Sequence, residues 1–207
     1  MNILVTGFDP FGGERINPSY EAVKKLPNEI GGNNIIKLLL PTSFKNGVVA
    51  LEDAIKEYEP AIIISIGQAG GRSCITPEFV AVNCAKAKTP DNLGYLPKGE
   101  KVRLDGDNAY FTTLPIEKIK ENLNNNGIPC HISNTAGTYV CNTIMYTSLY
   151  LAKNRYNFIK AAGFIHVPYI AEQAVHKPNG TPFMTLSMIT DAIKLSIEAT
   201  INENLVQ

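Results

Sequence analysis

The chain has 207 residues, of which 44% are hydrophobic and 18% are charged, a composition ordinary for a globular protein with a substantial core. Its 19 basic and 19 acidic side chains cancel, so the basic excess typical of nucleic-acid-binding proteins is absent. No apolar run reaches the ~20 residues of a membrane helix, and the start MNILVTGFDPFGG lacks the basic segment of a signal peptide. We therefore predict a cytoplasmic protein that binds neither nucleic acid nor membrane.

The first half of the chain alternates short apolar runs with helical patterns. Asn17 followed by Pro18 is a favourable start for a helix. The apolar run AIIISI, which closes this half, is typical of a central parallel strand. The predicted elements are a strand over 2–6, a helix over 18–26, a strand over 35–40, a helix over 43–58 and a strand over 61–66.

The second half is less regular at first and then resumes the alternation. The segment 75–85 alternates in the manner of a strand, and 88–100 is rich in Pro, Gly and Asp, as loops are. The elements predicted after these segments are a helix over 115–125, a strand over 129–133, a helix over 140–153, a strand over 163–167 and a helix over 185–204.

This order of elements predicts an α/β protein with a single domain over residues 1–207. Strands that alternate with helices form an open, mostly parallel twisted sheet with helices on both faces. Binding sites in such sheets lie beyond the carboxyl ends of the strands. The loops FDPFGG and GQAGGR, the turn at 135–139 and His166 all fall at such ends, so we expect them to converge.

Cys141 lies where a loop becomes a helix, in the stretch TAGTYVCNTIMYTSL. A helix start favours a thiolate, and its N–H groups can hold an oxyanion, so this thiol is a candidate nucleophile. The alternative is a cysteine packed in the core. Cys74, Cys84 and Cys130 form no CxxC pair, which leaves no zinc-site spacing, and their contexts do not suggest catalysis.

A thiol nucleophile requires a base and a group that orients the base. His166, in AGFIHVPYI, lies near the end of a predicted strand, and the alternative is a buried structural histidine. Glu78, in ITPEFVAV, lies among apolar residues, where a carboxylate requires a hydrogen-bond partner. It can serve as the orienting acid, or it can be a solvent-facing strand residue.

The glycine-rich loops match neither the Walker motif nor the dinucleotide-binding pattern. Phe8 and Phe11 in the first of these loops are suited to clamping a flat, uncharged ring. The alternative is that both rings only pack the loop against the sheet.

Several long segments match one family over essentially the whole chain. The chain resembles the pyroglutamyl peptidase type I family, also called pyrrolidone-carboxylate peptidases, which are cytoplasmic cysteine peptidases. The matching segments are VTGFDPFGG with NPS, GQAGGRSCITPE with VAVN, TPDNLGY, YFTTLP, SNTAGTYVCN and AGFIHVPYIAEQ.

The resemblance implies a triad of Cys141 as nucleophile, His166 as base and Glu78 as acid. It also implies removal of an N-terminal 5-oxoproline from peptides, through a thioester, by a homotetramer that uses no metal or cofactor. The substrate-binding residues that it implies are Phe8, Phe11, Gln68, Tyr139, Val140 and, at the oxyanion, Lys88.

Two positions depart from the family pattern. Phe79 and Lys88 stand where the family has arginine, and lysine keeps the charge but loses the planar fork of donors. These changes leave open a catalytically impaired pyroglutamyl-binding homologue. A second alternative is a phosphorylase or hydrolase on a similar sheet, for which Arg72 is the available phosphate-binding cation.

Overall fold

A computed structural model describes residues 1–205 as a central sheet with helices on both faces. The strands are β1 (Asn2–Phe8), β2 (Glu29–Ile30), β3 (Asn33–Leu40), β4 (Ile62–Gln68), β5 (Thr76–Pro77), β6 (Val80–Val82), β7 (Ala85–Lys86), β8 (Lys98–Glu100), β9 (Ala109–Phe111) and β10 (Ala161–Val167). The helices are α1 (Pro18–Lys25), α2 (Asn46–Tyr58), α3 (Ile116–Asn125), α4 (Val140–Asn154), α5 (Ala171–Ala174) and α6 (Leu186–Leu205).

Six strands form the main sheet in the order β2-β3-β1-β4-β10-β5. The four central strands are parallel, and the two short edge strands β2 and β5 are antiparallel to their neighbours. The predicted class, an α/β protein with an open and mostly parallel sheet, is confirmed. Two further pairs, β6 with β9 and β7 with β8, lie outside this sheet.

Successive residues of the central strands point to opposite faces and build two apolar cores. Ile64 and Ile165 belong to the core formed with α1, α3 and α6. Ile63 and Phe164 belong to the core formed with α2 and α4. Alternate residues along β4 and along β10 therefore contact different sets of helices.

The helix boundaries follow local chemistry. Asn17 caps α1, since its side chain accepts a hydrogen bond from the Ser19 N–H at 3.1 Å, and Pro18 opens the helix as predicted. The helix predicted over 43–58 starts three residues later, at Asn46. The Ser43 hydroxyl accepts the Asn46 N–H at 3.4 Å, which places Ser43 before the helix.

The strand predicted over 129–133 was wrong. This segment makes only isolated parallel bridges, between Cys130 and Ile75 and between Ser133 and Glu78. His131 N–H donates to the Ile75 carbonyl at 3.0 Å and Ser133 N–H to the Pro77 carbonyl at 2.9 Å, but Pro77 has no N–H to complete the ladder between them. The segment lies beyond β5 and still leads into the turn before α4.

The single strand expected over 75–85 is also divided. Thr76 and Pro77 pair with β10, and the chain then leaves the main sheet so that β6 pairs with β9. Pro77 has no N–H to donate to a further ladder, which favours this break. The break places Glu78 at the junction between the two sheets.

Within the described residues, no helix has both the length and the apolar character required to cross a membrane.

Candidate active site

The Cys141 thiol lies over the carboxyl end of β4. Cys141 is the second residue of α4, so it stands in the first turn, where backbone N–H groups lack intrahelical acceptors. Its sulfur is 3.0 Å from the position that a Cβ on Gly67 would take. Any side chain at residue 67 would therefore displace the thiol, and glycine is the residue that lets α4 approach the strand.

His166 is the neighbour of Gly67 across the sheet. The two residues are register partners in the parallel strands β10 and β4. Since paired residues of adjacent strands point to the same face, the imidazole and the thiol lie side by side on the face covered by α4. The His166 ring also packs on Phe164, with ring centroids 4.8 Å apart.

Glu78 lies on the other side of His166, where the chain leaves β5. Its backbone N–H donates to the Phe164 carbonyl at 2.9 Å, which ties it to β10. Its Oε1 lies 2.7 Å from Nδ1 of His166, and the residue is 0% exposed. Thiol, imidazole and carboxylate thus follow one another across the sheet, so the structure brings the three predicted residues together.

The carboxylate of Glu78 is held in its charged form. Burial alone raises a carboxyl pKa, but the hydrogen bond and charge of His166, together with the Ser133 and Arg72 side chains, bring the pKa of Glu78 below its usual value. An ionised Oε1 accepts a hydrogen bond, so the proton of the neutral imidazole belongs on Nδ1. Nε2 is then free to take a proton from a thiol.

The resting thiol differs from the expectation of a thiolate stabilised by the helix start. Burial, followed by the negative charge of Glu78, raises the pKa of the Cys141 thiol to about 12. The backbone N–H of Cys141 and the charge of Arg72 act in the opposite direction and do not prevail. Cys141 therefore has to transfer its proton to a base before it can act as a nucleophile.

The aromatic residues predicted to bind the substrate divide into two groups. Phe8 is 3% exposed and packs on Phe164 at a centroid distance of 6.2 Å, so it is part of the core. Phe11 and Tyr139 are partly exposed and face each other at 6.4 Å. Val140 is buried at the start of α4. Of the aromatic residues predicted to bind the substrate, Phe11 and Tyr139 are therefore the accessible ones, and Tyr139 lies two residues before Cys141.

Among the described residues, neither Gln68 nor Lys88 is hydrogen-bonded to one of the three central residues. Gln68 follows Gly67, so its side chain starts on the opposite face of the sheet from the thiol. There its Oε1 accepts a hydrogen bond from the buried Gln173 at 2.9 Å. Lys88 is exposed, in a loop joined to the turn before α4 by the hydrogen bond from the Thr138 hydroxyl to the Lys86 carbonyl at 2.7 Å.

Sequence reasoning missed two residues of the site and gave a third a different partner. Gly67 makes room for the thiol, and Thr76 is the register partner of His166 in β5. Arg72 donates to Oε1 of Glu78 at 2.7 Å. The signal that could have identified Arg72 is its place in GQAGGR, directly after the carboxyl end of a central strand.

Phe79, one of the two departures from the family pattern, points away from the triad. It lies on the surface and packs on Phe111, with ring centroids 4.9 Å apart.

In residues 1–205, no group of three or more His, Cys, Asp or Glu side chains is arranged to hold a metal ion.

The fold and the site define an α/β protein with the thiol, imidazole and carboxylate of a cysteine peptidase. Residues 1–203 match the family model described as pyroglutamyl peptidase, and the chain belongs to that family. A pyrrolidone-carboxylate peptidase of Clostridium perfringens is 50% identical over 205 residues, which cover 99% of this chain and 95% of that protein.

Solved structures agree in fold. Pyroglutamyl peptidase I of Bacillus amyloliquefaciens superposes with a TM-score of 0.92 at 44% identity, covering 96% of this chain and 94% of that one. The A199P mutant of the pyrrolidone carboxyl peptidase of Pyrococcus furiosus gives a TM-score of 0.95 at 42% identity, covering 98% and 99%.

Proposed function

We propose that this chain is a cysteine peptidase that removes an N-terminal pyroglutamyl (5-oxoproline) residue from peptides. The observation that carries the proposal is the row of Cys141, His166 and Glu78 on one face of the sheet, in a chain of the pyroglutamyl peptidase family. The arrangement contains a nucleophile, a base and a group that orients the base, which are the parts that acyl transfer requires.

In the first step, His166 takes the thiol proton on Nε2 while the sulfur attacks the carbonyl carbon that joins 5-oxoproline to the next residue. The raised pKa of Cys141 supports this order, because a neutral thiol requires a base at the moment of attack. Glu78 keeps the proton on Nδ1 and stabilises the imidazolium that forms. The N–H groups at the start of α4, with Lys88, hold the oxyanion.

In the second step, the imidazolium gives its proton to the departing amine, the C–N bond breaks, and a thioester to Cys141 remains. His166 then takes a proton from water, which attacks the thioester. The acid product leaves as the sulfur recovers its proton. Each proton that enters the imidazole in one half-reaction leaves it in the same half-reaction, so the enzyme returns to its starting state.

The substrate ring explains why an aromatic and neutral pocket is suitable. A 5-oxoproline residue has no free α-ammonium group, so it cannot be held by the carboxylates that ordinary aminopeptidases use. Phe11 and Tyr139 provide flat apolar surfaces for the ring, and polar groups nearby then fix its orientation. Phe8, Val140 and Gln68 contribute through packing and through the loops that they support.

The test is a pyroglutamyl fluorogenic amide assayed beside the matching prolyl amide. We expect turnover of the first and none of the second, and a Cys141→Ser variant should lose at least about 1,000-fold in kcat. Cys130→Ser is the matched control, because Cys130 is a buried thiol of the other core, whereas Cys141 is partly buried. Equal turnover of the two amides, or unchanged turnover by Cys141→Ser, would contradict the proposal.

An impaired homologue that binds pyroglutamyl peptides without cleaving them is the second candidate. It is favoured by the high pKa of the Cys141 thiol and by a lysine at position 88 where the family has arginine. It predicts saturable binding of a pyroglutamyl peptide by calorimetry with no product, and gain of turnover in Lys88→Arg. Turnover by the parent chain excludes it.

The phosphorylase alternative loses its phosphate-binding cation, because the Arg72 guanidinium is already paired with Glu78. Turnover that required added phosphate would support the phosphorylase alternative again.

We also propose that residues 1–207 form one catalytic domain that works in the cytoplasm as a homotetramer. Zero net charge supports the assembly, since it leaves little long-range repulsion between copies. Light scattering after gel filtration measures the subunit number directly, and a monomer at micromolar concentration would contradict the tetramer. Fractionation of cells that express the chain tests its location.

A further inference from the structure

Arg72 contacts the acid of the triad, and the reaction steps described above assign it no task. Its Nη1 donates to Oε1 of Glu78 at 2.7 Å and also to the hydroxyl of Thr76. The Arg72 side chain is 33% exposed, whereas the carboxylate that it meets is fully enclosed. One end of this ion pair is therefore reached from solvent and the other end lies inside the site.

The same carboxylate oxygen has two donors. Oε1 of Glu78 lies 2.7 Å from Nη1 of Arg72 and 2.7 Å from Nδ1 of His166. Two hydrogen bonds from different directions fix the rotation of a carboxylate, whereas one alone leaves it free to turn. Because Thr76 is the register partner of His166, the guanidinium is anchored to the strand pair that carries the imidazole.

We propose that Arg72 is a positioning residue for the reaction. It holds the Glu78 carboxylate in the orientation that accepts Nδ1–H, and its positive charge limits how strongly that carboxylate favours the imidazolium. This inference rests on the proposed function, because it assumes that His166 acts as the base.

The charged and titratable groups around His166 support this balance. They are Glu78 beyond β5, Cys141 at the start of α4 and Arg72 from the loop after β4, while Tyr139 interacts with Cys141. Arg72 is the only permanent cation in this set. It acts against the larger effect of burial on both acids, since it lowers the pKa of Glu78 and that of Cys141.

The experiment compares R72Q, which removes the charge, with R72K, which keeps it. We expect R72Q to lose about tenfold in kcat and to shift the acid limb of the kcat/KM profile upward by roughly half to one pH unit. R72K should lose a few-fold in kcat, with its acid limb within about 0.2 pH unit of the parent. R155Q is the matched control, because Arg155 forms an exposed ion pair with Asp105 far from the site, and it should change neither quantity.

A ¹⁵N NMR titration of the His166 ring measures the same charge effect without substrate. Its midpoint should move upward in R72Q by the amount seen in the profile and stay in place in R72K. If the parent chain does not cleave pyroglutamyl amides, the proposed function fails, whereas the NMR titration still decides the role of Arg72.

Equal losses of kcat in R72Q and R72K would overturn the proposal if neither the acid limb of the kcat/KM profile nor the midpoint of the NMR titration shifted. A merely structural contact predicts that result. If R72Q fails to fold, Thr76→Val tests the proposal instead, because it removes the hydroxyl that binds the guanidinium and keeps the charge of Arg72. It should lower kcat a few-fold with an unchanged acid limb, and an unchanged kcat would overturn the proposal.

Discussion

On the face of the sheet covered by α1, α3 and α6, β4 and β10 present buried aliphatic side chains such as Ile66 and Ile165. On the face covered by α2 and α4, the same strands present Phe164 and, at their carboxyl ends, Gly67 and His166. The strands, their register and their depth are common to both faces. The two faces differ only in which alternate residues of the strands point toward them, and one face carries an apolar core while the other carries the reactive groups.

The comparison shows what a reactive group requires inside a sheet. A buried imidazole or carboxylate is costly unless its partners are also in place. His166 meets this condition through Glu78, and Glu78 meets it through both His166 and Arg72. The polar set therefore has to be placed as a unit, and breaking one member should affect the others while the opposite face remains intact.

The largest effect should come from Glu78→Gln. The amide can still accept a hydrogen bond, but it carries no charge to stabilise the imidazolium, and Arg72 loses its counter-ion. We expect kcat to fall by about 1,000-fold, by analogy with neutralised acids in other triads. The pyroglutamyl-amide assay checks the loss. Glu52→Gln, which removes the partner of Arg103 on α2, is the control and should leave kcat unchanged. A loss below tenfold in Glu78→Gln would show that the carboxylate charge is dispensable.

The next largest effect should separate two glycines on opposite faces. A Cβ on Gly67 would lie 2.6 Å from the Phe164 ring and 3.0 Å from the Cys141 sulfur, whereas one on Gly163 would meet the side chains of Thr112 and Leu114 at 2.3 Å and 2.7 Å. Replacing either by alanine should cost about 1–3 kcal/mol of unfolding free energy through overpacking.

Only Gly67→Ala should also displace the thiol and lower kcat, by roughly 100-fold. Urea unfolding and the amide assay on both variants test this difference. Similar losses of kcat in the two variants would mean that general loosening of the sheet, and not the position of the sulfur, limits turnover.

The sequence was sufficient for the parts of the fold that have strong local signals. Buried apolar runs such as that of β4 and helices with clear starts such as α1 were predicted to within a few residues. The strands between residues 75 and 133 were predicted poorly, because they are two or three residues long and depend on partners far away in the chain, whereas the helix predicted over 115–125 agrees with α3. Short strands of this kind have too little periodicity to be read locally.

The site residues also divide into those that local sequence signals identify and those that depend on the folded structure. Cys141, His166 and Glu78 were chosen from their local contexts and from the family resemblance, and the structure brings them together, while their roles remain predictions. The partnership of Arg72 with Glu78 could not be read from the sequence, because it depends on how the loop after β4 folds back over β5. The raised pKa of the Cys141 thiol could not be read from the sequence, because it is caused mainly by burial, which is a property of the packed structure.

The smallest effect should appear in alkaline stability, where the two faces are expected to behave alike. Burial, with the neighbouring charge of Cys74, raises the pKa of the Cys130 thiol from 9.0 to about 12, and the Cys141 thiol reaches about 12 as well. An unfolded thiol ionises first, so each cysteine contributes stability that is complete below pH 9 and is lost as the pH rises toward 12.

Urea unfolding at pH 8, 9, 10 and 11 measures this loss for the parent, Cys130→Ala and Cys141→Ala. Each variant should lose stability less steeply than the parent above pH 9, by up to about 1.4 kcal/mol per pH unit. Slopes parallel to that of the parent would contradict buried neutral thiols. Equal slope changes in the two variants, with turnover abolished only in Cys141→Ala, would show that the adjacent imidazole, and not the acidity of the thiol, distinguishes the reactive face from the inert one.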